Sequence, residues 1–233
     1  MRAPRFTVTA LLVAGVLAFT PIGEADAQVI TESQRSTMST AEMEAIIRAR
    51  RDSARMRYSQ ADVRFMNMMI SHHAQALVMA NMGTSHGASP SVKVLAGRII
   101  SSQEDEIATM QQWLRDRRLP APEVHIRGTT VMIHAGEHGG VHDSAHMPGM
   151  LTQEQLDRLD KARGAEFDRL LLTFMIQHHR GAVTMVHELF ATDGAGQDEE
   201  VFKFASDVQV DQTTEVARME LMLSQMSNNG RAP

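Results

Sequence analysis

The sequence predicts an all-α protein, a four-helix bundle built from two repeated helical hairpins with an extra N-terminal helix and a His/Gly-rich central loop. Three observations predict it. Apolar residues recur at helical spacing in long segments bounded by capping and stop signals. No segment shows sustained strand-like alternation with turn chemistry. The chain also repeats itself: Met69-Ile70-Ser71-His72-His73, followed by Ala76 and Met79, returns 106 residues later as Met175-Ile176-Gln177-His178-His179, followed by Ala182 and Met185. Asp62 and Asp168 keep that offset, and Gln103, Glu106, Ile107 and Met110 recur as Gln212, Glu215, Val216 and Met219. Two such hairpins give four core helices.

Residues 1–27 read as a cleaved secretory signal. Arg2 and Arg5 precede an uncharged stretch with an apolar centre at Ala10 to Phe19, then Pro21 and the small-residue triplet Ala25-Asp26-Ala27. A retained anchor is the competing reading, but the apolar part is short and badly flanked for a membrane span. Residues 28–58 read as a polar leader and a helix capped at Ser39 or Thr40, running from Ala41 to Arg57. The first hairpin occupies 59–120: Ser59 with Asp62 resembles a capping pair, Gly83 and Gly87 stop the helix near Met82, and Ser89-Pro90 opens the next, which Pro120 and Pro122 end. Residues 121–150 are rich in Gly, His and Met and read as a connecting segment. The second hairpin takes 151–228. Thr152 with Gln155 forms a capping box, a helical pattern kinked at Gly164 runs to Phe190, and a last helix follows from about Asp198 to Met226.

Composition excludes several chemistries. The chain has 233 residues, no cysteine and a net charge of -5. Disulfides, thiolate metal sites and thiol catalysis are therefore impossible, and any soft ligand must be methionine, of which there are 18. A mildly acidic chain without a dense Lys/Arg block is a poor partner for nucleic acid, and no second apolar run predicts membrane insertion after signal cleavage. No Gly-rich phosphate loop, Gly-x-Ser-x-Gly elbow or Glu-x-x-His pair occurs, so no organic cofactor is expected and the di-iron and hydrolase readings lack support.

At about 100° per residue, Met69, His72, Ala76 and Met79 share a face roughly 80° wide, with His73 at its edge. Met175, His178, Ala182 and Met185 occupy the same face of the repeat, with His179 beside them. The face is also the apolar one, so imidazoles and thioethers point into the bundle. A lone His there would be a hydrogen-bonded core residue. Two adjacent His in both copies, each pair flanked by Met, instead point to metal ligands, because burying four imidazoles unused costs desolvation at many ring nitrogens. In the connecting segment His134, His138, His142 and His146 recur every fourth residue near Met132, Met147 and Met150. In a helix they would form one stripe, and their competing reading is a solvated linker. Thioether with imidazole and without thiolate suits copper, Met favouring Cu(I) and His accepting either oxidation state.

The run Met147-Pro148-Gly149-Met150-Leu151-Thr152, then Gly164, Phe167-Asp168, Met175-Ile176-x-His178-His179-x-Gly181-Ala182 and Met185, resembles the family called domain of unknown function 305. Gln103-x-x-Glu106-Ile107-x-x-Met110-x-x-Trp113-Leu114 is similar to its second-helix signature. The resemblance spans about residues 60–226. It implies a ferritin-like four-helix bundle and periplasmic copper tolerance, with His72, His73, His178, His179, Met69, Met79, Met175 and Met185 at the family's ligand positions. Met82 departs from the repeat, since its counterpart is Glu188.

The expected protein is periplasmic or secreted. It binds copper ions for sequestration or transfer, with another envelope copper carrier or exporter as a further partner. It is not expected to be an enzyme, there being no second acid-base constellation on the helices. A copper-dependent redox enzyme and a metal-free structural bundle are the alternatives.

Overall fold

The computed structural model describes residues 38–55, 57–134 and 147–229. The signal segment, most of the leader, and His138, His142 and His146 lie outside the described residues. The chain divides into two units, Met1–Ile46 and Ile47–Pro233. Within the first, helix α1 (Thr40–Arg55) begins behind Ser39, whose Oγ and N–H both pair with Glu42.

The second unit carries the bundle. Helix α2 (Gln60–Asn81) starts at a capping box, in which Asp62 N–H donates to Ser59 Oγ at 3.1 Å and Ser59 N–H donates to the Asp62 carboxylate at 2.7 Å. A 3-10 turn at Met82–Thr84 ends it, and α3 (Pro90–Asp116) follows with Pro90 in its first turn. Helix α4 (Gln153–Lys161) opens on the Thr152–Gln155 box, α5 is Gly164–Phe190 and α6 is Glu199–Asn229. Where the sequence predicts one kinked helix from 151 to 190, the chain breaks fully. Ala162 and Arg163 are extended, Gly164 has φ +58°, and the Gly164 N–H leaves the helix to bond the His86 carbonyl at 2.9 Å.

Helix α2 packs on α3, α5 on α6, and the two hairpins meet through α2 and α5. The repeated aspartates join them reciprocally. Asp62, at the start of α2, accepts from Gly196 N–H in the α5–α6 loop at 2.7 Å, and Asp168, at the start of α5, accepts from Ser89 N–H in the α2–α3 loop at 3.2 Å. Each buried carboxylate thus satisfies a turn of the other hairpin, which fixes the antiparallel pairing at both ends.

The connecting segment corrects the strand-free expectation. Glu123–Arg127 (β1) and Thr130–His134 (β2) form an antiparallel hairpin in the register Arg127↔Thr130 to Glu123↔His134. Val124 and Ile126 alternate with polar residues on one strand, Val131 and Ile133 on the other. The two-residue turn Gly128-Thr129 supplies the positive φ, +61° at Gly128, that a tight hairpin requires. Half-buried Val124, Val131 and Ile133 hold this ribbon against the bundle beside α2. His134 therefore sits on a strand, and the one-stripe helix through it does not form.

Candidate metal centre

His72, His73, His178 and His179 are each 0 % exposed, at the contact of α2 with α5 and of each with its hairpin partner. His72 and His178 meet with their rings tilted by 36° and their centroids 3.8 Å apart. Nε2–H of His72 donates to the Pro148 carbonyl and Nε2–H of His178 to the His72 carbonyl, both at 2.9 Å. His73 pairs through Nε2 with Glu106 at 2.5 Å, and His179 in the same way with Glu215 at 2.6 Å. The partners of His72 and His178 are carbonyls, which only accept, so on those rings Nε2 carries the proton; on all four rings Nδ1 is the remaining nitrogen.

Those four Nδ1 atoms are buried and have no hydrogen-bond partner. An orphaned buried polar atom costs about 1–3 kcal/mol, and four in one layer are hard to account for by packing alone. One ring nitrogen held by a carboxylate or carbonyl while the other is left bare is the arrangement that orients an imidazole toward a metal. Burial, then repulsion from His73, lowers the His72 pKa to about 3. Burial, then His72, holds His178 well below the ordinary value. Both rings stay neutral, as a ligand must.

The thioethers divide around the imidazole layer according to the antiparallel pairing. Met69 and Met185 share one packed cluster with Met110, while Met79 and Met175 share the other with Met219, so each cluster draws Met from both copies of the repeat. All six are at most 3 % exposed. Among the described residues no three His or carboxylate groups converge as a ready-made cation site, so a metal held here would take imidazole together with thioether. The departure at Met82 makes the halves unequal: Met82 is buried in the cluster of Met79 and Met175, whereas Glu188 is exposed.

Several of these groups were not singled out as functional from the sequence. Glu106, Glu215, Met110 and Met219 belong to the repeated second-helix pattern, and that recurrence was the available signal. Gln103 and Gln212, also a repeat pair, are buried with unpartnered Oε1 atoms. The Pro148 carbonyl left no trace in the side-chain pattern. Along α3 and α6 runs a groove of about 1000 Å³ whose lining includes Asp105, Glu106, Asp207 and Asp211 together with Arg115 and Lys203, the last paired with Asp207. Asp211 has a raised pKa from partial burial and from the negative charges of Glu106, Asp207 and Glu215, so the carboxylates that hold the imidazoles face an acidic surface that attracts cations.

Met147 and Met150, grouped in the sequence with the His-rich segment, lie on the bundle. Met147 is buried in the cluster of Met69 and Met185, and Met150 is half-buried against it. The Met147–Met150 turn is clamped onto the helices. Gln75 bonds Leu151 in both directions at 2.7 and 3.0 Å, and Gln177 reaches the Gly149 and Met150 carbonyls at 3.3 and 3.4 Å. His134, by contrast, is exposed on β2.

The fold and its motifs have known counterparts. A DUF305 fragment from Deinococcus radiodurans is 27 % identical over 72 % of this chain and 98 % of its own, with a TM-score of 0.58. A Streptomyces coelicolor DUF305 protein described as secreted matches at 23 % identity over 72 % and 94 %, TM-score 0.59, a likeness of fold. CopM in its Cu(I)-bound form matches at 27 % identity over 73 % and 98 %, TM-score 0.51. No curated protein matches significantly. The family model described as Domain of unknown function (DUF305) matches residues 62–223, a span holding the duplicated hairpins and the four imidazoles, and the chain belongs to that family.

Proposed function

We propose that this protein binds copper in the cell envelope through the His and Met side chains of the bundle, sequestering or transferring the metal without catalysing a reaction. The observation that carries the reading is the layer of four buried imidazoles, each with Nε2 tied to a carbonyl or carboxylate and Nδ1 without a partner. His73 with Met69, Met110 and Met185, and His179 with Met79, Met175 and Met219, would supply the two donor groups, with His72 and His178 as the remaining imidazoles. Support comes from CopM, whose structures include Cu(I)-, Cu(II)- and Ag-bound forms. Cu(I) and silver are soft ions that share a preference for thioether over oxygen. His138, His142 and His146 of the central segment act as an accessory capture arm. Export follows from the signal-like residues 1–27, and among the described residues no helix is long and apolar enough to cross a membrane. Complete burial of the imidazoles denies an organic substrate contact with them, which supports a carrier over a redox enzyme.

The test uses protein beginning at Gln28, purified without an affinity tag, loaded with Cu(I) under a reductant, desalted and challenged with excess bicinchoninate. Stoichiometric copper should stay with the protein, and silver should displace it. Complete transfer of copper to the chelator would reject the reading.

A further inference from the structure

We propose that the outward face of the β1–β2 hairpin is a separate, solvent-facing Cu(II) site, with the imidazoles of His125 and His134 as its principal donors and Glu123 and Met132 beside them. The proposal stands on the hairpin alone and does not need the bundle centre.

Strand alternation creates this face. Val124, Val131 and Ile133 are half-buried against the bundle, which turns Glu123, His125, Arg127, Thr130, Met132 and His134 outward, all of them exposed. The register sets Met132 directly across from His125 and His134 directly across from Glu123. His125 and His134 are diagonal neighbours on that face, with ring centroids 5.1 Å apart at 81°. Nε2 of His125 lies 3.7 Å from the Glu123 carboxylate. The four donor-bearing side chains thus occupy the open end of the ribbon, while Arg127 and Thr130 take the turn end, so the one cation of the face is set away from the donors.

None of these outward side chains contributes to the core, so packing does not explain their identity. Two exposed imidazoles held edge to face would repel once both were protonated, whereas a metal ion bridging them joins them. The paired backbone of a two-stranded ladder fixes the spacing of the Cβ atoms, and exposed side chains are free to rotate their ring nitrogens onto one ion. Two imidazoles completed by water suit Cu(II), with the Glu123 charge nearby and the Met132 thioether as a weak, long ligand at most. The bundle centre differs in kind, being closed, dry and rich in sulfur.

The experiment adds Cu(II) to the chain beginning at Gln28, kept free of reductant. Electron paramagnetic resonance and glycine competition are followed for the unaltered protein, H125A, H134A, the double variant, and a control variant H138A/H142A/H146A. Loss of an outer-shell partner already weakens a metal site about 10- to 100-fold, so each single hairpin variant should lose at least about tenfold in Cu(II) affinity at one site. The double variant should lose that site's two-imidazole signature while its melting temperature and Cu(I) retention stay unchanged. The control should keep it. Retained Cu(I) with lost Cu(II) separates this site from the bundle centre. An unchanged Cu(II) signal in the double variant, or loss of that signal in the control, would overturn the assignment. A measurement on the unaltered protein guards against misfolding of variants: substoichiometric Cu(II) should broaden the imidazole NMR signals of both His125 and His134, and sharp signals there would equally overturn it.

Discussion

Changing His72, His73, His178 and His179 together to Ala removes the tightest copper binding and leaves most of the helicity. The helices survive because Ala is the best helix former and the change removes four orphaned ring nitrogens along with the ring volume. The tightest copper site does not survive, since the Met clusters alone supply no imidazole to it. The same variant loses a pH dependence. In the metal-free protein His72 has a folded-state pKa of about 3 against an ordinary 6.5, so the unfolded chain takes up a proton that the folded one refuses. The stability tied to that neutral ring is fully present above about pH 6.5 and is lost as the pH falls; at pH 5 the difference of about 1.5 pH units amounts to about 2 kcal/mol. His178, depressed by burial, acts in the same direction. Urea unfolding of the metal-free protein at pH 8 and pH 5 should therefore show a steep acid loss in the unaltered chain and a flatter one in the variant. Unchanged Cu(I) affinity in a competition titration would remove the imidazoles from the account.

The second large effect is expected from Gly181→Ala. In the middle of an exposed helix this change stabilises by about 1 kcal/mol, and Gly97→Ala in α3, where a Cβ meets nothing within 4 Å, should behave that way. At Gly181 the sign reverses. Its Cβ would lie 2.1 Å from the Pro148 oxygen, 2.5 Å from the Pro148 carbon and 2.6 Å from Gly149 Cα, all backbone atoms that cannot rotate aside. Gly149 is itself held at φ +76° with its own Cβ position 2.6 Å from the Gln177 carbonyl, so the turn has no slack on either side. We expect a loss of about 3 kcal/mol in urea unfolding. Lifting the turn also withdraws the Pro148 carbonyl from His72 and displaces Met147, so Cu(I) affinity should drop about 10- to 100-fold. A Gly181→Ala protein as stable as the Gly97→Ala protein would show that the turn is not clamped as described.

The duplicated hairpins were legible because a helix-period pattern repeated with caps at matching places. The pairing of α2 with α5 was not, since it rests on Asp62 reaching Gly196 and Asp168 reaching Ser89 across the bundle, contacts with no local signature. That pairing decides which thioethers meet, so Met69 joins Met185 and not its own repeat's Met79. The hairpin has little sequence signature for a different reason. Its alternation lasts five residues on each strand and sits among His and Gly whose spacing also fits a helix or a linker. The His-His pairs stood out by repetition, whereas Glu106 and Glu215 needed the 2.5 and 2.6 Å distances to the imidazoles before a role could be given to them.

Copper K-edge X-ray absorption on the Cu(I)-loaded, tag-free protein tests the central claim most directly. The chain has no cysteine, so any sulfur bonded to copper must be a methionine thioether. The account predicts sulfur and imidazole nitrogen scatterers around the same ion, with the imidazole contribution lost in the four-alanine variant. A spectrum of nitrogen and oxygen scatterers without sulfur, or one unaffected by removal of the four imidazoles, would contradict it.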